Sequence, residues 1–312
     1  IKKEHNRNNA NMIILGTSGS GKSTAAKLLL RSSIRNISMN YKRLFRSQKV
    51  RFMILKFLSF VPDSIMLKLQ YRIKMGFKLN LTQPQRFTEK LQWYKIYHRD
   101  DLMGRCVDKY EVRNYVASKG LEATLNKLYC VCTDPDEIDF TSLPERFVIK
   151  TTDGGGGENI FICRDKSSLN IDELKAILRS WKDKKSVNPG REWAYTRIKE
   201  SRYIVEEYLE NDLNPEAGIS DYKFFCFNGK PYCIAYDIDR YIGHKRNFYD
   251  LEWNNLHVST DCETFDDSRV PRPEGLEKML EIGAREGFDT HNFDDYVCSV
   301  PYPGKTPGTV HQ

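Results

Sequence analysis

Four consecutive glycines between two short β-type runs restrict this chain more than any other feature. Phe147-Val-Ile-Lys150 precedes Thr151-Thr-Asp-Gly154-Gly-Gly-Gly157, and Asn159-Ile-Phe-Ile-Cys163 follows. The pattern predicts strand, loop, strand: a hairpin whose tip, having no Cβ atoms, lets backbone lie close against a phosphate. Lys150 would point at the same charge. A P-loop, by contrast, leads from its glycines into a helix. The bland alternative for a glycine hairpin is a long turn.

Composition narrows the class. The 312 residues carry 49 basic and 42 acidic side chains, a formal charge of +7, with 40% hydrophobic and 12% aromatic residues. At about 150 residues per domain the length suggests two domains or one enlarged unit. The mean hydropathy is −0.59, and no run of about 18 apolar residues suggests a membrane span. Acids are interspersed with the bases almost everywhere beyond the first hundred positions, so no nucleic-acid partner is expected. Eight dispersed cysteines without paired zinc-site spacing predict free thiols in a reducing cytoplasm.

The first 36 residues contain a second glycine motif. Asn11-Met-Ile-Ile-Leu15 runs into Gly16-Thr-Ser-Gly-Ser-Gly21-Lys22-Ser23, which has the full P-loop spacing, with Lys22 for the β/γ oxygens and Ser23 for magnesium. Locally it resembles the nucleotide loop of conjugation-type secretion ATPases. A working P-loop also needs a parallel sheet and an acid ending a second apolar strand. The best acid is Asp237, after Tyr232-Cys-Ile-Ala-Tyr236, but the intervening chain lacks βα alternation. A P-loop NTPase fragment and an idle, fused βα fragment both stay open.

Residues 37–106 read as a basic helical region. Tyr41 to Phe60 mixes Lys and Arg with large apolar side chains, suiting either a membrane-surface helix or a helix packed on its own domain. Thr88 to Lys95 predicts a further helix, and Lys109 to Lys119 another that ends at Gly120. Arg202-Tyr-Ile-Val-Glu206-Glu207-Tyr208-Leu209 is an apolar strand running into two acids. Such an end can offer a carboxylate or carbonyl to a purine amino group while Ile204 and Leu209 pack on the ring; an exposed strand terminus is the alternative.

Lys109, Lys150 with Gly154, Gly155, Gly156 and Gly157, and Glu206-Glu207-Tyr208-Leu209, in that order, are similar to the ATP-grasp superfamily. From about residue 41 to 283 the chain resembles its TupA-like family, of bacterial cell-surface polysaccharide biosynthesis. The residues that carry this are Phe87-Thr-Glu-Lys-Leu-Gln-Trp93, Asp108-Lys-Tyr-Glu-Val-Arg113, Leu143 to Lys150, Arg191-Glu-Trp193 and Asp221-Tyr-Lys223 to Lys230. The resemblance implies an α+β ATP-grasp fold at 107–283, two subdomains clasping ATP with Mg2+ on its phosphates. It implies a ligase that activates a carboxylate as an acyl phosphate for attack by an amine or sugar acceptor, though relatives are often labelled glycosyltransferases. It also implies phosphate-neutralising roles for Lys109 and Lys150, a lid at Gly154 to Gly157, and adenine contacts from Glu206, Glu207 and Leu209. Lys223 would meet phosphate or ribose, and Arg240 and Arg246 an anionic sugar polymer or amino-acid substrate. The expected location is cytoplasmic, peripheral at the inner face of the cell membrane on the membrane-surface reading of Tyr41 to Phe60.

Two departures from that pattern stand out. The late strands with magnesium carboxylates are expected near residue 285, but Ala284 to Tyr296 does not read as such a strand, leaving Asp294 and Asp295 as substitutes and the metal ligands unknown; 284–312 reads as an irregular tail. A catalytically impaired, ATP-binding remnant is the corresponding alternative. In the glycine loop, Asp153 stands where relatives tend to have a histidine.

Overall fold

The computed structural model describes residues 13–14, 53–55, 57–154, 159–182, 190–210, 216–227, 230–258, 260, 262–268, 270–286 and 295–300. It arranges them as two antiparallel sheets with helices packed on each.

Three helices lead in. Helix α1 (Asp63–Met75) follows Pro62, carries Asp63 in its first turn and Arg72 and Lys74 in its last, and stops at Gly76 with φ +79°. Charges of those signs complement the helix dipole, and glycine takes the left-handed cap without a Cβ penalty. Leu67 and Tyr71 of α1 pack with Leu79, Leu81 and the Trp93 and Ile96 side chains of α2 (Phe87–Tyr97). Glu89, only 2% exposed, accepts hydrogen bonds from the backbone N–H groups of Gln85 (3.1 Å) and Arg86 (2.9 Å). The Phe87-Thr-Glu stretch thus caps a helix and pins the loop before it. Helix α3 (Asp101–Val107) is capped by Asp100, which accepts from the Leu102 N–H at 2.7 Å.

Helix α4 (Glu111–Ser118) begins two residues later than the sequence pattern predicts. Asp108, 3% exposed, is the reason: its Oδ1 accepts from the N–H groups of Tyr110 (2.8 Å) and Glu111 (3.0 Å). Lys109 therefore sits in the capping turn.

The first sheet runs β2 (Leu128–Cys132), β5 (Tyr203–Glu207), β3 (Phe147–Thr151), β4 (Ile160–Cys163). Its period of two sorts the side chains. Phe147, Ile149, Cys163, Tyr203 and Val205 face a core closed by Leu174, Leu178 and Trp181 of α5 (Ile171–Lys182). A fully buried Phe147 contributes about 1.5–3 kcal/mol. Val148, Lys150, Ile204 and Glu206 fall on the opposite face.

In the second sheet the order is β1 (Ile13–Ile14), β9 (Asp295–Val300), β6 (Asp221–Phe227), β7 (Lys230–Ile238), β8 (Lys245–Tyr249). Leu276, Met279 and Ile282 of α6 (Leu276–Glu286) pack against Phe224, Cys226 and Ile234, joined by Val116 of α4 and Leu121.

The structure corrects one expectation and bears on one open alternative. The tail is not irregular throughout: α6 continues to Glu286, and β9 pairs antiparallel with β6 from Tyr222↔Val300 to Phe227↔Asp295. The prolines after position 300 hid a six-residue strand that a partner 70 residues upstream stabilises. Secondly, every ladder between the described strands is antiparallel, β1 included, so the parallel sheet that a P-loop requires does not occur among the described residues.

Candidate active site

Strand register assembles the site. Val148 pairs with Glu206 and Lys150 with Ile204 across β3 and β5, and Lys150 with Ile160 across β3 and β4. Val148, Lys150, Ile160, Glu206 and Glu207, with Asn126 and Leu209, line an open cleft of about 320 Å³. Apolar Val148, Ile160 and Leu209 stand there beside the polar and charged Asn126, Lys150, Glu206 and Glu207, the mixture by which a cleft packs a ligand and fixes its orientation.

Lys109 lies near Lys150. Its backbone N–H donates to Thr152 O at 3.1 Å, and its Nζ donates to Thr151 O at 3.2 Å and to Gly154 O. The ammonium is thus held against the base of the glycine loop. Burial, and next the positive charge of Lys150, push its pKa down from 10.5 to about 7. Two cations share one low-dielectric site, an arrangement poised for an anion.

Glu206 is the counter-ion. Its carboxylate, 6% exposed, pairs with Lys150 and with Arg113 Nη1 at 3.0 Å, while Arg113 Nη2 donates to Asn126 O at 2.6 Å. The Glu206 carboxylate is therefore already engaged by cations, while Glu207, exposed at the strand end, and Leu209 also line the cleft. Arg113 received no role from the sequence, although it lies four residues after Lys109, on the neighbouring turn. Arg202 ties the two sides together: it pairs with Glu111 at 2.6 Å and Asp108 at 3.5 Å. Asp153 accepts from Ser201 Oγ at 2.6 Å, so a partner holds the acid found in place of histidine. Gly154 lies beside Lys109; Gly155, Gly156 and Gly157 fall outside the described residues.

A family model described as TupA-like ATPgrasp matches residues 89–289. The chain belongs to this family. Its fold is ATP-grasp. The match begins later than the resemblance near residue 41 and includes Lys109, Arg113, Lys150 and Glu206. Among solved structures, the crystal structure of D-alanine-D-alanine ligase from Helicobacter pylori is similar at 12% identity with a TM-score of 0.31, covering 64% of this chain and 54% of that one. The chain thus spans about half the length of that ligase. No curated protein matches.

The ATP-grasp domain holds a second charged cluster on its other sheet. Asp237, fully buried on β7, pairs with Lys223 at 2.6 Å, Arg240 at 3.0 Å and Arg246; Lys223 and Arg240 also pair with Asp221. Burial alone would raise the Asp237 pKa, but hydrogen bonding by Arg246 and the charge of Lys223 outweigh it and hold the carboxyl well below its ordinary 3.8. Asp237 is thus no P-loop acid: its oxygens are occupied, on a strand of an antiparallel sheet. Lys223, Arg240 and Arg246 form one network with the two carboxylates. Gly16, Gly21, Lys22 and Ser23 lie outside the described residues and outside the family match.

Among the described residues, no three His, Cys, Asp or Glu side chains come together to hold a metal ion. Asp221 and Asp237 are saturated by cations. The described donors do not fit the Mg2+ that the family implies; of Asp294 and Asp295, only the backbone of the latter is described, at the start of β9.

Proposed function

We propose that the chain is an ATP-dependent ligase of cell-surface polysaccharide biosynthesis, binding ATP with its phosphates at Lys109 and Lys150 and its purine against Glu207 and Leu209. The observation that supports this reading is the closeness of the two lysines: Lys150 lines the cleft, and Lys109, held on the carbonyls of Thr151 and Gly154, feels its charge.

In the reaction a substrate carboxylate oxygen bonds to the γ-phosphorus and the bond to the bridging β-γ oxygen breaks, releasing ADP. An amine or sugar hydroxyl then attacks the acyl phosphate; inorganic phosphate leaves with the carbonyl–oxygen bond pair, and the nucleophile's proton passes to solvent. This chain's lysines offset the charge that spreads over the transferring phosphoryl group, and they are already oriented, so little reorganisation is required at the moment of transfer. Arg240 and Arg246 stand at the second cluster, where an anionic sugar polymer or amino acid would find positive charge.

The test is interception. With ATP, a uronic-acid polymer or amino-acid panel, and hydroxylamine, the protein should release ADP and an equal amount of hydroxamate. ADP without hydroxamate for every carboxylate, or sugar transfer without ATP, would sink the reading.

A further inference from the structure

The entry to α1 exposes apolar side chains that the cleft does not use. Met53 is 65% exposed, Phe57 and Phe60 76% each, Ile65 56% and Leu69 48%. Phe57 and Phe60 meet edge to face with centroids 6.3 Å apart. On α1, Ile65 and Leu69 share a solvent face with Lys68 and Arg72, while Met66, Leu67 and Tyr71 are buried on the other.

These rings do not sit on a frayed end. Arg191, whose side chain is 12% exposed, donates to Leu58 O at 2.7 Å, Val61 O at 2.9 Å and the Asp63 carboxylate at 2.9 Å. A long-range arginine clip therefore fixes the 58–63 backbone while leaving Phe57 and Phe60 in water. Large apolar groups held rigidly in solvent are unfavourable unless something covers them.

Charge identifies the cover. Residues 41–80 contain ten Lys or Arg and one acid, Asp63, which Arg191 neutralises. The rest of the chain has 39 basic and 41 acidic side chains, so the whole positive excess belongs to this segment. Exposed Lys68, Arg72, Lys74 and Lys78 flank the apolar groups. Cations around exposed aromatics match an anionic headgroup layer over acyl chains, and stable anchoring takes both signals together. No described helix is long and apolar enough to cross a membrane. We infer that Met53, Phe57, Phe60, Ile65 and Leu69, ringed by Lys68 and Arg72, dock this protein on the surface of an anionic phospholipid bilayer. The inference stands independently of the ligase reading.

Flotation of the full chain with vesicles tests it. The protein should float with phosphatidylglycerol–phosphatidylcholine vesicles and stay behind with phosphatidylcholine alone. Phe57→Ser and Phe60→Ser should each lower the partition constant about tenfold, from partial loss of a ring's burial. Lys68→Gln and Arg72→Gln should each lower it about fivefold. All four positions are exposed, and ATP affinity of the variants should stay unchanged, which separates failure here from failure of the catalytic assignment. Equal binding to neutral vesicles, or binding indifferent to the rings, overturns the inference. So does a ring-dependent dimer in sedimentation without vesicle binding, or protection of the rings by the chain itself when vesicles are absent.

Discussion

The Lys150 ammonium is ion-paired to the Glu206 carboxylate across two adjacent strands, on the diagonal two residues from direct opposition and on the same face of the sheet. Arg113 holds the other oxygen of that carboxylate at 3.0 Å. On the proposed reading, a phosphate entering the cleft would take the place of Glu206 at Lys150 while Arg113 kept Glu206 paired, so the exchange would leave no buried charge alone.

Lys150→Ala should lower ATP turnover by about 2–4 kcal/mol of transition-state stabilisation, roughly thirty- to nine-hundredfold. Since Glu206 keeps Arg113, the thermal midpoint should move little. Steady-state ADP release and a melting curve on one preparation decide it; undiminished turnover contradicts the role assigned to Lys150.

Lys109 makes ATP binding pH-dependent in a stated direction. Its pKa is about 7 in the free protein, and a bound triphosphate, favouring the ammonium, raises it towards the ordinary 10.5. Between those values binding takes up a proton, so affinity should fall as pH rises above about 7. Calorimetry in buffers of different ionisation enthalpy should detect that proton, and Lys109→Met should abolish its uptake.

Asp237→Ala should destabilise the second sheet by about 3–5 kcal/mol, because three cations would then be left facing one another around a buried gap. The wild-type carboxyl titrates below its ordinary 3.8, so its contribution is full above that value and is lost as acid protonates it. Urea midpoints across pH 2 to 7 should fall on the acid side for the wild type, and less steeply for Asp237→Asn.

Lys22→Ala should leave ATP affinity at the cleft unchanged, whereas Lys150→Ala should weaken it. Equilibrium binding of a fluorescent ATP analogue compares the two directly. The reverse outcome would move the nucleotide to the P-loop spacing.

What could be read early was local. Phe147-Val-Ile-Lys150 read as a strand ending at the glycine loop, and Arg202 to Leu209 ran as a strand into its acids. Glu206 as a counter-ion could not be read, because that depends on Val148 standing opposite it, and 57 residues separate the two. Arg113 was within a quoted motif, yet nothing on its own helix shows that it crosses to β5. The late strand β9 was missed for a similar reason: a six-residue strand takes its stability from its partner.

The order of residues by itself determined the two β runs, the glycines between them, the helix end at Gly120, and the cationic excess of 41–80, since each follows from torsional preference, period or simple charge. Tertiary structure alone decided which charges meet. It set Lys150 against Glu206 and buried Asp237 among three cations, because ion pairs form across strand register and sheet packing, and neither is written in the spacing of residues along one strand.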